Sequence, residues 1–297
     1  MPEIHCAHVL DVTDHGLGAI LRHNADLTVA MKNVSLEEAP HCGIALIDGE
    51  KKIRDWEEKP VRPKNTLASM GIYLFRLAFL ERMLAERSGD DFGYHVVQDA
   101  VKRHRVFAFT FNGYWADVGT LKNYWQSNMD IVKSKRCLRA WNRQVDQGLQ
   151  DDRKADPPRV NVRSAKIENS LVAKGCKIDG TVIRSVLFPG VYVASGARVV
   201  DSVVMHDSVI DSGATTYRAI IDKRVYIGPG SSVGFGRDAR PNIRHPKHLF
   251  SGLTLIGEDA IIPANSHFAA NSIISGSVSR DQFDSHTSDT GAYIEGV

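Results

Sequence analysis

No run in the 297 residues approaches the roughly 20 consecutive apolar positions of a membrane helix, so no spanning helix is expected. The opening residues, MPEIHCAHVLDVTDH, lack a basic stretch followed by an apolar core, which argues against a signal peptide. Cysteine is sparse. Cys6, Cys42, Cys137 and Cys176 lie far apart and form no CxxC, so neither a zinc framework nor a disulfide scaffold is expected. Reduced thiols in a cytoplasmic protein are the better reading. Charge of one sign is also missing: 37 Lys and Arg face 35 Asp and Glu, a net of +2. That balance gives no reason to expect nucleic acid or an anionic membrane as partner. The twelve histidines are scattered, without ligand spacing.

What is present falls into two regions of different period. From about residue 17 to 133, strand-like and helix-like segments alternate. LGAILRHNA (17–25) reads as a helix end, and DLTVAMKNV (26–34) as a buried strand. GIALID (43–48) and KKIRDWEE (51–58) read as two strands joined around Gly49, and ASMGIYLF (68–75) as another. RLAFLERMLAERSG and GYHVVQDAVKRH read as helices, and RVFAFTFNG as a closing strand. This order points to an α/β sheet covered on both faces. Residues 134–158 break the pattern with ten charged positions in 25 and end on Pro157-Pro158, as a linker would.

Beyond Val160 the helical period gives way to hexads. Ile256, Ile262, Phe268 and Ile274 recur every six residues, and Val193, Ile210 and Ile227 stand 17 apart. A six-residue period fits short strands that each turn one large aliphatic residue inward before a tight corner, three strands to a coil. The expected architecture is an α/β nucleotidyltransferase-like portion at 1–133, a linker at 134–158, a left-handed parallel β-helix at 159–280 and a tail at 281–297. The segment FGRDARPNIRHPKHLF (235–250) interrupts the repeat. It reads either as a solvated loop ejected from the coil or as an anion-binding loop.

Several short motifs carry chemistry, and each has an ordinary structural alternative. In FNGYWADVGTLKNYW (111–125), Asp117 is either a turn residue ahead of a helix capped by Thr120 or a charge at the mouth of a pocket. WEEKP (56–60) ends a strand, and Pro60 should push Lys59 towards an extended conformation from which it reaches a phosphate or a sugar hydroxyl. Read alone, it is equally a surface ion pair. ASMGIY offers Ser69 as a hydroxyl donor and Gly71 for close backbone approach.

Taken in order, WEEKP, LASMGIYLF, DFGYHVVQ and YWADVGTLKNYW followed by hexapeptide repeats resemble the glucose-1-phosphate adenylyltransferases (ADP-glucose pyrophosphorylases). More loosely they resemble the wider sugar-1-phosphate nucleotidyltransferases with left-handed β-helix tails. The resemblance implies that Lys59 contacts the phosphate of glucose 1-phosphate, with Glu58 and Ser69 at its sugar. It also implies that Trp115 walls the pocket and that Asp117 is a catalytic residue binding the sugar site or Mg2+. Lys223, with Arg218 nearby, falls in a region that carries effector contacts in some relatives.

The sequence departs from the family at Ala116, Tyr94 and Trp56, where arginine, lysine and phenylalanine are usual. The family's GGxGxRLxPLT phosphate loop has no counterpart in the 297 residues. The expectation is therefore a Mg2+-dependent adenylyltransferase type of glycogen or starch synthesis, of which this chain holds the glucose 1-phosphate side without the ATP site. It should be inactive alone, as a truncated product, half of a split protein or a regulatory subunit, in a homo- or hetero-oligomer built through the β-helix. A non-catalytic assembly subunit and a guanylyl- or uridylyltransferase remain open readings.

Overall fold

The computed structural model describes residues 23–86, 91–134, 156–236, 240–278 and 288–296. The chain divides into two compact units, Met1–Trp115 and Ala116–Val297. The expected helix end at 17–25 and the linker at 134–158 lie largely outside the described residues, as do Cys6 and Cys137. Cys42 and Cys176 are both buried.

The first unit is built on a five-stranded sheet of order β3-β2-β4-β1-β5. Its strands are β1 (Leu27–Asn33), β2 (Gly43–Ile47), β3 (Ile53–Glu58), β4 (Leu67–Phe75) and β5 (Val106–Thr110). β1 runs between β4 and β5, and its first five residues are buried, as their near-continuous apolar sequence requires. The alternation read from the sequence is only partly realised, because β1 and β5 form the one parallel pair and the other pairings are antiparallel. β2 and β3 close as a hairpin, since Asp48 Oδ1 accepts the backbone N–H groups of Glu50 and Lys52 (3.0 and 2.9 Å) while Lys51 takes φ 65°. Helix α1 (Leu77–Glu86) buries Phe79 and Met83 against the sheet, four residues apart on one face.

The helix predicted over GYHVVQDAVKRH is in two parts. A wide π-type turn, Phe92–Val97, precedes α2 (Gln98–Arg103). The Asp91 carboxylate accepts the N–H of Tyr94 (3.1 Å) and caps the turn. Such turns occur disproportionately at functional sites, and this one meets β3 where the candidate site lies.

In the second unit, the described residues hold nineteen short strands, from β6 (Arg159–Val160) to β24 (Tyr293–Glu295), in three parallel sheets. Successive strands visit the three sheets in turn, except that β24 joins the sheet of the strand before it, Ile273–Ser275, and the arrangement is the expected left-handed β-helix. The 17-residue spacing is its register: Val193, Ile210 and Ile227 stack through successive paired strands, Ile262 continues the stack after a longer, 35-residue step, and all four are fully buried. Ile256, Phe268 and Ile274 fill the other inward positions. Corners are not limited to small residues. Arg184, Asp201 and Arg218 all take φ of 45–49°, and Arg184 forms a bidentate pair with Asp201 at 2.6 and 2.7 Å.

Three further findings revise the sequence picture of this unit. Helix α3 (Leu121–Lys133), placed with the first region by sequence, falls in the second unit. Its buried Trp125, Met129 and Val132 pack on Val186, Val203 and Ile220, outward residues of one sheet that only a covering element can shield. Residues 240–250 do leave the repeat as an irregular, mostly exposed segment, but it is anchored: Leu249 joins that same cluster, and Asn242 is fully buried. The Asn242 amide donates to the carbonyls of Asn271 and Ala292 (both 3.0 Å), while its oxygen accepts from the N–H groups of Arg244 and His245. Finally, the expected tail at 281–297 supplies β24, whose Ile294 packs against the core column.

Among the described residues, two buried hydroxyls of the coil, those of Thr216 and Ser266, are left without a partner. Thr216 is fully buried in a column otherwise filled by Val182, Val199, Val233 and Phe268, and its hydroxyl has no partner. An orphaned buried hydroxyl costs about 1–3 kcal/mol, and valine keeps the shape without the polar atom. Thr216→Val is expected to stabilise the unit by about 1 kcal/mol, read as a rise of roughly 2–4 °C in Tm on thermal denaturation.

Candidate functional site

The end of β3 gathers most of the chemistry-bearing residues of the first unit. Glu58 is its last residue, and its side chain is only 8% exposed. Three neighbours make room for that carboxylate and hold it. Trp56 Nε1 donates to Glu58 Oε2 at 3.2 Å. Gly43, paired with Glu58 across the hairpin, leaves the space that the Trp56 ring and Glu58 Oε2 occupy. Gly93, in the π-type turn, lies so close that an added Cβ would stand 2.1 Å from Glu58 Oε2. Burial raises the Glu58 pKa; Lys59 and the Trp56 hydrogen bond oppose this, and the Asp91 charge adds to it.

Lys59 extends from this carboxylate into solvent, with Nζ 3.9 Å from Glu58 Oε1. Its backbone differs from the extended form expected ahead of Pro60, having φ 46°. The cause is the hairpin: the Lys59 N–H still bonds to the Cys42 carbonyl (3.1 Å), one step beyond the strand, and the chain must then turn sharply. A non-glycine residue held there carries roughly 1–3 kcal/mol of strain, a cost found mostly where position matters.

Ser69 lies on β4, 8% exposed, and its Oγ accepts the Gly71 N–H at 3.2 Å. The Ser69 hydroxyl in turn donates to Tyr73 OH at 3.4 Å. Tyr73 is stacked on Phe92 of the π-type turn, and burial pushes its phenol pKa up, with the Glu58 and Asp91 charges adding to the shift. Gly71 has open space around it and serves a different purpose from the close approach expected. Three β4 residues span the gap opposite the single Ala30 of β1, and this bulge needs the φ of 71° that Gly71 adopts.

Trp115 is half-buried beside Met70 and Phe111, under which Lys32 reaches across to donate to the Gly113 carbonyl. Asp117 opens the second unit. Its Oδ1 accepts the Gly119 N–H at 3.1 Å, forming a tight turn, and Thr120 then caps α3 by accepting from the Asn123 N–H (3.1 Å). The turn reading of Asp117 is therefore realised, and Oδ2 is the oxygen this turn leaves unused. Mg2+ commonly binds through one or two carboxylates together with substrate phosphates, and Asp117 is the carboxylate of the YWADVGT motif. Among the described residues no group of three His, Cys, Asp or Glu side chains converges on a metal position.

The two residues suggested for an effector are placed differently. Arg218 is half-buried, with its guanidinium 4.4 Å above the Trp125 ring and donating to the Ser251 carbonyl at 2.9 Å. These contacts tie α3 and the 240–253 segment to the coil. Lys223 is exposed at a corner, with Nζ 3.9 Å from the Glu258 carboxylate on the next coil.

Residues 15–134 match the family model described as nucleotidyl transferase, and residues 158–256 match the GlmU-like C-terminal hexapeptide model. Three glucose-1-phosphate adenylyltransferases align over nearly the whole chain. The protein of Acetivibrio thermocellus is 38% identical over 89% of this chain and 62% of its own length. That of Thermomicrobium roseum is 37% identical over 87% and 61%, and that of Pseudothermotoga lettingae 34% identical over 91% and 65%. The chain is a homologue of the glucose-1-phosphate adenylyltransferases. It spans between 61% and 65% of the length of these relatives, and the homology runs through both units.

In this homologue, sequence reading nominated Glu58, Lys59 and Ser69 and did not say what surrounds them. Trp56, Gly43, Gly93 and Tyr73 do so from four elements, and Trp56 was noted only as a departure from the family's phenylalanine. Gly93→Ala is expected to evict the Glu58 carboxylate while leaving the fold intact. The Glu58 carboxyl should then titrate closer to the ordinary glutamate value, read by NMR titration of the side-chain carboxyl. The raised Glu58 pKa means that the folded protein binds this proton more tightly than the unfolded chain. Its contribution is fully present below the unfolded pKa and is lost as pH rises through the folded one. Glu58→Gln should therefore be at least as stable as the parent at pH 7, and this advantage should vanish in denaturation measured below pH 4.

Proposed function

We propose that this chain binds glucose 1-phosphate at the end of β3, as the sugar-phosphate part of a glucose-1-phosphate adenylyltransferase-type protein of the cytoplasm. The observation that carries the reading is the buried, hydrogen-bonded Glu58 with Lys59 beside it. A carboxylate held out of water accepts sugar hydroxyls at little reorganisation cost, and a half-exposed ammonium nearby is placed for a phosphate. Ser69, linked to Tyr73, supplies a hydroxyl on β4, two strands from β3, and Trp115 contributes apolar wall. Asp117, in the other unit, is by family likeness the carboxylate for Mg2+, which in such chemistry neutralises phosphate charge.

The reaction of the complete type is attack of the sugar phosphate on the α-phosphorus of ATP, which forms ADP-glucose and releases pyrophosphate. The 297 residues contain no GGxGxR phosphate loop, so we assign this polypeptide binding without turnover by itself, and assembly through its β-helix with further copies or with a related chain. Lys59→Ala should weaken glucose 1-phosphate binding by roughly ten- to a hundredfold, the worth of a charged hydrogen bond of about 1.5–3 kcal/mol. With ATP, glucose 1-phosphate and Mg2+, the purified chain should release no pyrophosphate. Sugar phosphate affinity unchanged by Lys59→Ala would overturn the site, and turnover of about 1 per second or faster would overturn the assignment of binding alone.

A further inference from the structure

At the other end of β3 lies a second feature, unrelated to the motifs above. A concavity of about 370 Å³ opens where the start of β3 meets the end of α2 and the start of β5. Lys52, Arg54, Lys102, Arg103, His104 and Arg105 line it, with Ile53 and Val101 as its apolar part, and no acidic residue is among the lining. Arg54 and Glu58 are four residues apart on one strand, about 13 Å at the usual rise, so the concavity is separate from the Glu58 site.

Five permanent cations in one hollow is unusual for a chain whose net charge is only +2. Three of them are matched from outside the lining. Asp48 takes Arg54 at 2.7 Å, Asp26 takes Arg105 at 3.0 Å, and Asp99 lies 3.5 Å from Lys102. Among the described residues Lys52 and Arg103 have no carboxylate partner. Lys102 and Arg103 do complement the C-terminal end of α2, but that role gives no reason for Lys52 or Arg54 to face the same hollow.

The cations are also held in place. Lys52 is half-buried, its N–H bonded to Asp48 and its backbone bridged to Phe107 of β5. The Asp26 carboxylate accepts from both the side chain and the backbone N–H of Arg105. His104 is fixed with its ring 4.8 Å from that of Phe79, edge to face. Guanidinium groups steadied by carboxylates behind them present the planar donors that suit a phosphate oxygen pair.

We propose that this concavity is a binding site for a small phosphate-bearing anion, either free phosphate or pyrophosphate or the phosphate of a small ester. Its volume suits a metabolite, and Lys52 and Arg103 supply the two uncompensated charges that a phosphate dianion would meet. Arg54 and Arg105 orient it, and the apolar Ile53 and Val101 allow an organic portion to lie against the floor.

The test uses the full chain. Backbone amide shifts of the 15N-labelled protein are followed during titration with inorganic phosphate, pyrophosphate and glucose 6-phosphate, each against sodium chloride at equal ionic strength. The expected result is a saturable shift at 52–54 and 101–105, lost at least tenfold in affinity in Lys52→Glu/Arg103→Glu and retained in Lys59→Ala. Glucose 6-phosphate binding tighter than inorganic phosphate would identify an ester as the ligand, and equal affinity would identify the free anion. The proposal is overturned if chloride reproduces the shifts, if the charge-reversed variant binds unchanged, or if Lys59→Ala abolishes them. Retained dispersion of the variant's amide spectrum separates a lost site from a lost fold.

Discussion

The second unit depends on stacking one aliphatic residue above another at every coil. Each β-helix strand is only two to four residues long and has no stability alone, so order comes from coils that bury Ile, Val and Leu against their own repeats. This requirement fixes the 17-residue register, and the register in turn forces sharp corners at fixed positions. Residues as large as Arg184 and Arg218 accept a left-handed backbone there, because their side chains project outward and find partners on neighbouring coils. It also leaves an apolar outer stripe through Val186, Val203 and Ile220, which α3 and Leu249 cover. Trp125 secures the cover twice over, with its N–H on the Asp201 carbonyl (2.7 Å) and its face under Arg218.

The first unit is organised around a different constraint, the burial of a carboxylate. Placing Glu58 out of water is unfavourable unless it is hydrogen-bonded, and the structure supplies Trp56 for that purpose. Two glycines, 50 residues apart in sequence, give up their side chains so that the carboxylate fits. The π-type turn after Asp91 brings the second of these glycines into place. Strain at Lys59 and the raised proton affinity of Glu58 are then costs concentrated at one end of one strand, where binding is the natural return for them.

The strands from β1 to β5, the Thr120 cap and the coil repeat were legible because each rests on local signals: apolar runs, capping residues and a fixed period. Glu58, Lys59 and Ser69 were legible only through their family likeness, since EKP and SMG taken alone read equally well as surface or strand residues. The conformation of Lys59 was misread because the rule for residues before proline considers only the adjacent bond, whereas the Cys42 carbonyl decides where the strand releases the chain. The anchoring of the segment at 235–250 was missed for a similar reason. Its charges are conspicuous in sequence, while Asn242 and Leu249, which anchor it, gain meaning only from partners some 30 to 50 residues away or on another element.

By itself, the sequence determined the two-part architecture, because the period of hydrophobic residues dictates which faces must be buried and hence which elements form. It also determined the candidate ligands for a sugar phosphate, through motifs whose order is specific to one family. Tertiary structure alone decided that Gly93 and Trp56 shape the Glu58 pocket and that α3 belongs with the coil. It likewise decided that Lys52, Arg54 and the 102–105 cations face a common hollow. Those facts depend on distances between segments far apart in the chain, and such distances are set by packing rather than by any local pattern of residues.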